Sequence, residues 1–393
     1  MSPVDVRVVG GGFAGFWAAL AARRVLGPGA RVSLVSAGPL LQLRPRLYEA
    51  DPRTLAVALP PLLERCGIAF EQACVAALDA PAGRVHTDDG TPLQSRRLVL
   101  ASGSVMAPPP LPGVEHAWSI DTQAEAIAFD ERLRALASGH EAPVIAVLGA
   151  GFTGIELALE LRDRIAGHGG AAAGEAAQVL LLDRAARVGA ELGAGPRPAI
   201  EAALDQARIE RHLGVTVDRI EPQRLHLRGL PPRAVHATVL ATGLRAAPLA
   251  AQVPGAHDAL GRVRVDDRLR APAAPALFVC GDAAAADTGG GRLALQSCQH
   301  ALRMGRFAGE NAARDLLGRP LLRYGHERYV TCLDLGRAGA VFTEGWARQV
   351  RSTGAEAKAI KQRINRQTIV PPPDASGEQL LALSRIDGLP DEA

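Results

Sequence analysis

The chain has 393 residues, too many for one ordinary core, so two to three domains are expected. Lys+Arg 44 against Asp+Glu 41 leaves a net charge of +3, which supplies no strong basic field for nucleic acid. Aromatic residues make up only 4%, so neither a membrane-interface girdle nor a base-stacking surface is expected. No run of about 18 apolar residues and no basic-then-apolar leader appears, and the chain reads as cytoplasmic and unprocessed. Cys66, Cys74, Cys280, Cys298 and Cys332 are odd in number and form neither CxxC nor CxxxxC. That pattern speaks against a disulfide framework, a metal site or a flavin-linked dithiol, and leaves five mostly buried thiols.

In chain order, Val4–Val9 reads as a strand and runs straight into Gly10-Gly11-Gly12-Phe13-Ala14-Gly15. Residues 16–26 read as a helix and 31–35 as the next strand, which completes a βαβ unit. Leu98–Leu100 is a short buried strand ending in Ala101-Ser102-Gly103, and the Pro-rich stretch 107–113 reads as a linker. The first grammar then recurs about 140 residues on: strand Val144–Leu148, Gly149-Ala150-Gly151-Phe152-Thr153-Gly154, helix 155–165 and strand Gln178–Asp183. Residues 167–177, rich in Gly and Ala, read as a flexible insertion. Residues 238–240 ending in Ala241-Thr242-Gly243 echo the earlier strand; 253–261 is the return linker, 278–282 a strand ending in Gly281-Asp282, and 295–315 a helix. Beyond Tyr324 the composition changes, up to a Pro371-Pro372-Pro373 break and an acidic tail.

A GxGxxG uses its first Gly for a tight turn, its second for close approach of a pyrophosphate and its third to seat the helix on the strand. One copy is weak evidence; two, each between a strand and a helix, point to two dinucleotide sites. Ala101, Ser102 and Gly103 close the first site, and Thr242 and Gly243 the second. Asp183 stands 29 positions after Gly154 (183 − 154), with the Gly/Ala insertion accounting for the excess over the usual spacing of about 20. Its carboxylate can accept both ribose hydroxyls of NAD and repel a 2′-phosphate, which favours NADH over NADPH, although Arg184 beside it softens that preference. Ser36, 21 positions after Gly15 (36 − 15), takes the corresponding place in the first unit as a weaker ribose partner. Two nucleotide sites in one chain are explained most simply by a bound FAD reduced by a diffusing nicotinamide. Asp282 would hold the ribityl chain, unless it only caps its turn, and the helix after it would aim its N-terminus at the flavin's pyrimidine edge.

The order GGGFAG, RLVLASGS, GAGFTGIELALEL, VLATG and FVCGD resembles the flavoproteins with two dinucleotide-binding domains (the pyridine nucleotide-disulfide oxidoreductase fold). Within them it is most similar to type II NADH dehydrogenases and apoptosis-inducing-factor-like NAD(P)H:quinone oxidoreductases. The segment 44–50, which includes Arg46, resembles the stretch those enzymes carry over the flavin. Cys298-Gln299-His300-Ala301-Leu302-Arg303-Met304-Gly305 resembles their Ala-Gln-x-Ala-x-Gln-x-Gly helix against the isoalloxazine and the quinone pocket, with Arg303 in place of the second Gln. The resemblance implies that Val75 meets the adenine of FAD and that Gln299 touches the flavin. It also implies that Glu156 lies near the nicotinamide, where otherwise it is only a first-turn acid satisfying the helix dipole. Lys361-Gln362-Arg363 resembles a Lys-x-Arg in which a lysine approaches the flavin; the competing reading is a surface lysine on a solvated helix over 355–366. Sulfide:quinone oxidoreductases share the scaffold but need a cysteine pair, and no cysteine stands between Cys74 and Cys280.

The expected architecture is α/β, with two Rossmann-type domains, the NAD domain inserted in the FAD domain, and a small C-terminal segment. Its boundaries are 1–113, 114–252, 253–324 and 325–393. Glu156, Gln299 and Lys361 are the expected catalytic residues. The partner is a small electron acceptor, a quinone in the first reading, with at most weak peripheral membrane contact and a homodimer left open. Two other readings stand beside it: a soluble reductase of a protein electron carrier, and an NADH-responsive flavoprotein with little turnover.

Overall fold

A computed structural model describes residues 3–386. Its larger sheet runs, strand by strand, Arg270–Ala271, Ala274–Val279, Pro92–Leu100, Val4–Val9, Val32–Ser36 and Ala69–Gln72. Along this path neighbours pair in parallel except the first two, and off it Val75–Asp79 and Arg84–Thr87 form an antiparallel ribbon attached to Pro92–Leu100. Apolar runs such as Leu98–Leu100, and Val6–Val9 apart from Arg7, which pairs with Glu71 at 2.6 Å, are buried on both faces, as a helix-covered parallel sheet requires. A second, all-parallel sheet runs Trp118–Ser119, Ala237–Leu240, Val144–Leu148, Gln178–Asp183 and Glu210–Leu213. Between the sheets, Ser104–Met106 pairs with Leu244–Ala246, so the chain leaves and re-enters the first sheet's territory through one two-stranded ribbon.

Both glycine turns start helices sooner than the apolar pattern suggests: the helices span Phe13–Leu26 and Phe152–Gly169. The helix Cys298–Leu316 lies against Phe13–Leu26 at very close range, because Gly305 and Gly309 sit on the backbones of Ala14 and Ala18, where a Cβ would collide. Arg24 and Arg314 share Glu310 at 2.5 and 3.0 Å and tie the pair at its far end.

The stretch 167–177 is not a flexible insertion. The preceding helix continues to Gly169, the chain turns at Gly170 (φ 85°), and Ala171–Ala176 forms a short helix packed back on it. Gly174 is buried against Ala166 and the Arg162 carbonyl, and Arg162 Nε donates to the Gly174 carbonyl at 3.0 Å. Small residues carry no turn signature, yet they are what so tight a helical hairpin needs.

The C-terminal segment is an antiparallel sheet, Val330–Asp334, Ala340–Glu344 and Gln349–Thr353, with the helix Gly354–Arg363 against it and a π-helical turn over Ile364–Thr368. That helix is solvated on one side only: Ala357, Lys361 and Asn365 form a buried stripe, while Arg363 and Arg366 face solvent. Past the proline break, Gly377–Leu383 is a helix capped by Ser376 and docked on the Arg65 carbonyl; the acidic end of the tail, 387–393, lies outside the described residues.

Candidate functional site

The two glycine turns have the same construction. Gly10 (φ 114°) and Gly149 (φ 112°) both adopt a conformation closed to other residues, and a Cβ on either would strike a carbonyl, Ala101 in the first unit and Ala241 in the second. Gly15 and Gly154 lie on the carbonyls of Gly10 and Gly149, which brings each helix hard against its strand. Phe13 and Phe152 begin the two helices, so Ala14 and Thr153 also present first-turn N–H groups to each crevice.

In the first unit, Ser36 ends its strand with its Oγ beside Gly11, and Ala73 N–H donates to the Ser36 carbonyl at 3.0 Å, which places Val75 just beyond. Ala101 follows the strand Pro92–Leu100, and Gly281-Asp282 follows Ala274–Val279, its parallel neighbour. Asp282 Oδ2 accepts from Ser104 Oγ at 2.6 Å, and burial pushes its carboxyl above the usual range against that bond and Arg44. Arg44 donates to Ser104 at 3.1 Å and pairs with Asp121. Arg46 instead holds Glu49 at 2.8 Å and reaches the Asn365 carbonyl at 3.5 Å. Arg44, Ser104 and Asp121 are therefore the partners around Asp282 that sequence reasoning did not select; no local spacing marks them.

Two buried hydroxyls test the fit of this crevice to a flavin nucleotide. Ser102 Oγ, at the sheet edge, and Ser297 Oγ, at the start of the helix Cys298–Leu316, have no hydrogen-bond partner. Buried hydroxyls of that kind are costly unless a ligand meets them, and the surrounding glycine cradle and helix N-terminus suit a diphosphate and a polar ring edge. The residues present fit FAD.

In the second unit, Asp183 Oδ2 accepts from Ala150 N–H at 2.6 Å and Oδ1 from Ala185 N–H at 2.7 Å, so the carboxylate is fixed beside the glycine turn. Thr242 Oγ1 donates to the Ala107 carbonyl at 3.2 Å, and Gly243 (φ 99°) follows it. This crevice also carries Glu191, which sequence reasoning passed over.

Where the two crevices meet, the C-terminal segment supplies a buried ion pair. Lys361 Nζ lies 2.8 Å from Glu156 Oε1, which also accepts the Asp334 N–H at 2.8 Å. Lys361 sits over the rings of Tyr48 and Phe152 at 5.6 and 5.4 Å. The surface-lysine reading of Lys361 is thus corrected: the residue is 5% exposed, because its helix turns that stripe inward. Burial pulls the Lys361 ammonium down, but Glu156 outweighs it and the net shift is upward. For Glu156 burial prevails over Lys361 and moves the carboxyl up to about 7. Around the pair, Asp334 takes Tyr48 Oη at 3.2 Å and Lys358 Nζ at 2.5 Å, and burial lifts Glu160 to about 7 as well. Gln299 does not reach this pair; its amide brackets Val330, donating to the carbonyl at 2.7 Å, and so fastens the helix Cys298–Leu316 to the C-terminal sheet. Behind it, His300 is fully buried and held neutral by burial, near 3, in a cluster with His326, Tyr329 and Trp346. Cys332 is buried with its thiol pushed up to about 12, and its Sγ lies 3.5 Å from the Ala357 carbonyl. Such a thiol is no nucleophile at neutral pH.

An NADH dehydrogenase-like protein of Mycobacterium tuberculosis is 43% identical to this chain over 387 residues, covering 96% of this chain and 97% of that protein. A demethylphylloquinone reductase of Synechocystis is 27% identical over 353 residues, covering 86% of this chain and 85% of its own length. Among solved structures, the sulfide:quinone oxidoreductase of Aquifex aeolicus superposes with a TM-score of 0.77 at 20% identity, over 98% of this chain and 92% of that one. A ferredoxin reductase of Rhodopseudomonas palustris superposes at 0.72 and 20% identity, over 98% of each chain. At those identities the two structures speak for the fold alone. The model of a family described as pyridine nucleotide-disulphide oxidoreductase matches residues 4–305. With two glycine cradles of one construction and a relative at 43% identity along nearly its whole length, the chain belongs to the pyridine nucleotide-disulphide oxidoreductase family.

Proposed function

We propose that the chain is an FAD-dependent NADH dehydrogenase of the type II kind, which passes the electrons of NADH to a quinone. FAD, when bound, supplies the redox chemistry, taking a hydride from the nicotinamide and giving two electrons to the acceptor. The observation that carries the reading is the buried Lys361–Glu156 pair, 2.8 Å apart, which joins the second unit's helix to the C-terminal segment between the crevices. Quinone reduction with NADH consumes one proton from solvent, and Glu156, at about 7, is a carboxyl able to hold and release one at neutral pH. Lys361 holds a positive charge beside it and favours negative charge building up nearby. Tyr48, Phe152 and the strand Val330–Asp334 keep water from the pair. Gly10, Gly12, Gly15, Ser36, Val75, Ser102, Asp282 and the N-terminus of Cys298–Leu316 hold FAD. Gly149, Gly151, Gly154, Asp183, Thr242 and Gly243 hold NADH in preference to NADPH. The names of the two curated relatives, one NADH dehydrogenase-like and one a quinone reductase, support the donor and the acceptor.

Among the described residues no helix is long and apolar enough to cross a membrane. The exposed Arg363 and Arg366 support a weak contact with anionic lipid, where quinone resides, by a cytoplasmic protein.

Anaerobic stopped-flow tests the function. NADH reduces the bound flavin faster than NADPH does, and a short-chain naphthoquinone then reoxidises it far faster than buffer. Reoxidation no faster than the blank removes the quinone; a colourless purified protein removes the whole reading.

A further inference from the structure

The internal repeat allows one position to be compared with itself. Gly12 and Gly151 are the third residues of the two hexapeptides and the caps of the two helices. A Cβ on Gly12 would meet nothing within 4 Å. A Cβ on Gly151 would run into the carboxylate of Glu191, whose Oε1 accepts the N–H of Phe152 at 3.3 Å. That N–H is the first of an 18-residue helix, one of the unpaired donors that a pyrophosphate takes at such a turn.

Glu191 is brought there by its loop. The single helical turn Ala190–Leu192 is anchored on one side by Gly189 N–H, which donates to the Ala150 carbonyl at 2.9 Å, and on the other by the buried Leu192. Gly189 and Gly193, at φ 57° and 78°, make the two bends that set the turn. The Glu191 side chain itself is exposed, so its carboxylate is held by the helix N-terminus and not by burial, and it can swing away without opening the core. In the first unit no side chain stands at Gly12, and the side chains beside Gly11 are Ser36 and Leu59, both uncharged.

We propose that Glu191 sets the affinity of the second nucleotide site: its carboxylate stands in for the pyrophosphate at the N-terminus of Phe152–Gly169, and a dinucleotide binds only by displacing it. The inference rests on the reading of the second unit as the NADH site. It gives a physical reason for one turn to retain its nucleotide while a twin of the same construction exchanges it. The first cradle offers its N–H groups without competition. The second must give up a carboxylate–helix interaction and tolerate a like charge beside the incoming phosphates. A substrate site that turns over needs that weakening; a prosthetic-group site does not.

The test uses full-length holoprotein, wild type and Glu191→Gln and Glu191→Ala, titrated with NAD+, ADP-ribose and adenosine by calorimetry. NAD+ and ADP-ribose, which carry the pyrophosphate, bind both variants about two- to five-fold more tightly, the factor expected for a carboxylate at a helix N-terminus. Adenosine, which lacks it, binds as before, and flavin content per chain is unchanged. In turnover the NADH KM falls while kcat does not rise. Unchanged NAD+ affinity makes Glu191 a bystander, and weaker affinity makes it a ligand contact; either overturns the proposal. A change shared equally by adenosine also overturns it, as a general loosening of the pocket. If the wild type binds neither NAD+ nor ADP-ribose, the assignment of the second unit falls first, and that outcome is distinct from the others.

Discussion

At the scale of single residues, the centre of the molecule is decided by the contest between burial and pairing at Glu156 and Lys361. Glu156 is raised from its ordinary 4.5 to about 7, so the folded chain keeps a proton that the unfolded chain releases. Stability present below about pH 4.5 is therefore lost as pH climbs toward 7. Glu156 should lower the unfolding free energy of the wild type between pH 5 and 8 by up to about 3 kcal/mol, Glu160 adds to that decline, and Glu156→Gln should lessen the slope in urea titrations. Lys361→Met leaves Glu156 buried without its counter-charge. The inflexion near pH 7 in the rate of flavin reoxidation by quinone should then move upward by about one unit or more; a downward move would mean that the ammonium does not act on this carboxyl. Asp183 makes a separate prediction. Removing a charged acceptor for the ribose diol in Asp183→Ala should raise the NADH KM about ten-fold. The NADPH KM should change less, and the protein should stay yellow.

At the scale of elements, the crossing of Phe13–Leu26 and Cys298–Leu316 depends on two missing side chains. Gly305→Ala forces a methyl into the Ala14 backbone, and overpacking of this kind costs about 1–3 kcal/mol. The melting temperature should fall by several degrees and flavin should be lost on dilution, whereas Gly318→Ala, where a Cβ finds open space, tests only the strain of its φ of 66°. This crossing and the elements around it differ in how far they were legible. Val144–Leu148 and Gln178–Asp183 match the structure end to end, because a doubly covered strand is an uninterrupted apolar run closed by a turn. The helix Ala171–Ala176 was not legible, since Gly and Ala carry no amphipathic pattern. Lys361 was legible as a candidate but not as a buried residue, because its partner Glu156 lies in another sheet's helix and only the folded chain brings them together. Glu191 had no motif at all; its place follows from two bends and one buried leucine.

At the scale of the whole molecule, charge is nearly balanced and the exposed apolar residues, among them Leu40, Leu230, Leu260 and Val350, come from separate parts of the chain. The membrane contact proposed through Arg363 and Arg366 is electrostatic and light. The protein should sediment with vesicles containing anionic lipid at low ionic strength and leave them as salt approaches about 0.15 M, where charges are screened beyond roughly 8 Å. Arg363→Gln with Arg366→Gln should abolish that sedimentation without altering reduction of a water-soluble quinone. The glycine-to-backbone seam joins Phe13–Leu26 to Cys298–Leu316. With Gly305 and Gly309 resting directly on the backbones of Ala14 and Ala18, the two helices have little room to slide, and in the proposed FAD site they would act as a single splint serving both the diphosphate and the ring. On that proposal, a half-engaged state, gripped at one extremity and loose at the other, is disfavoured. Titration of stripped protein with the yellow cofactor should accordingly show fluorescence quenching and gain of thermal resistance advancing together, in one step.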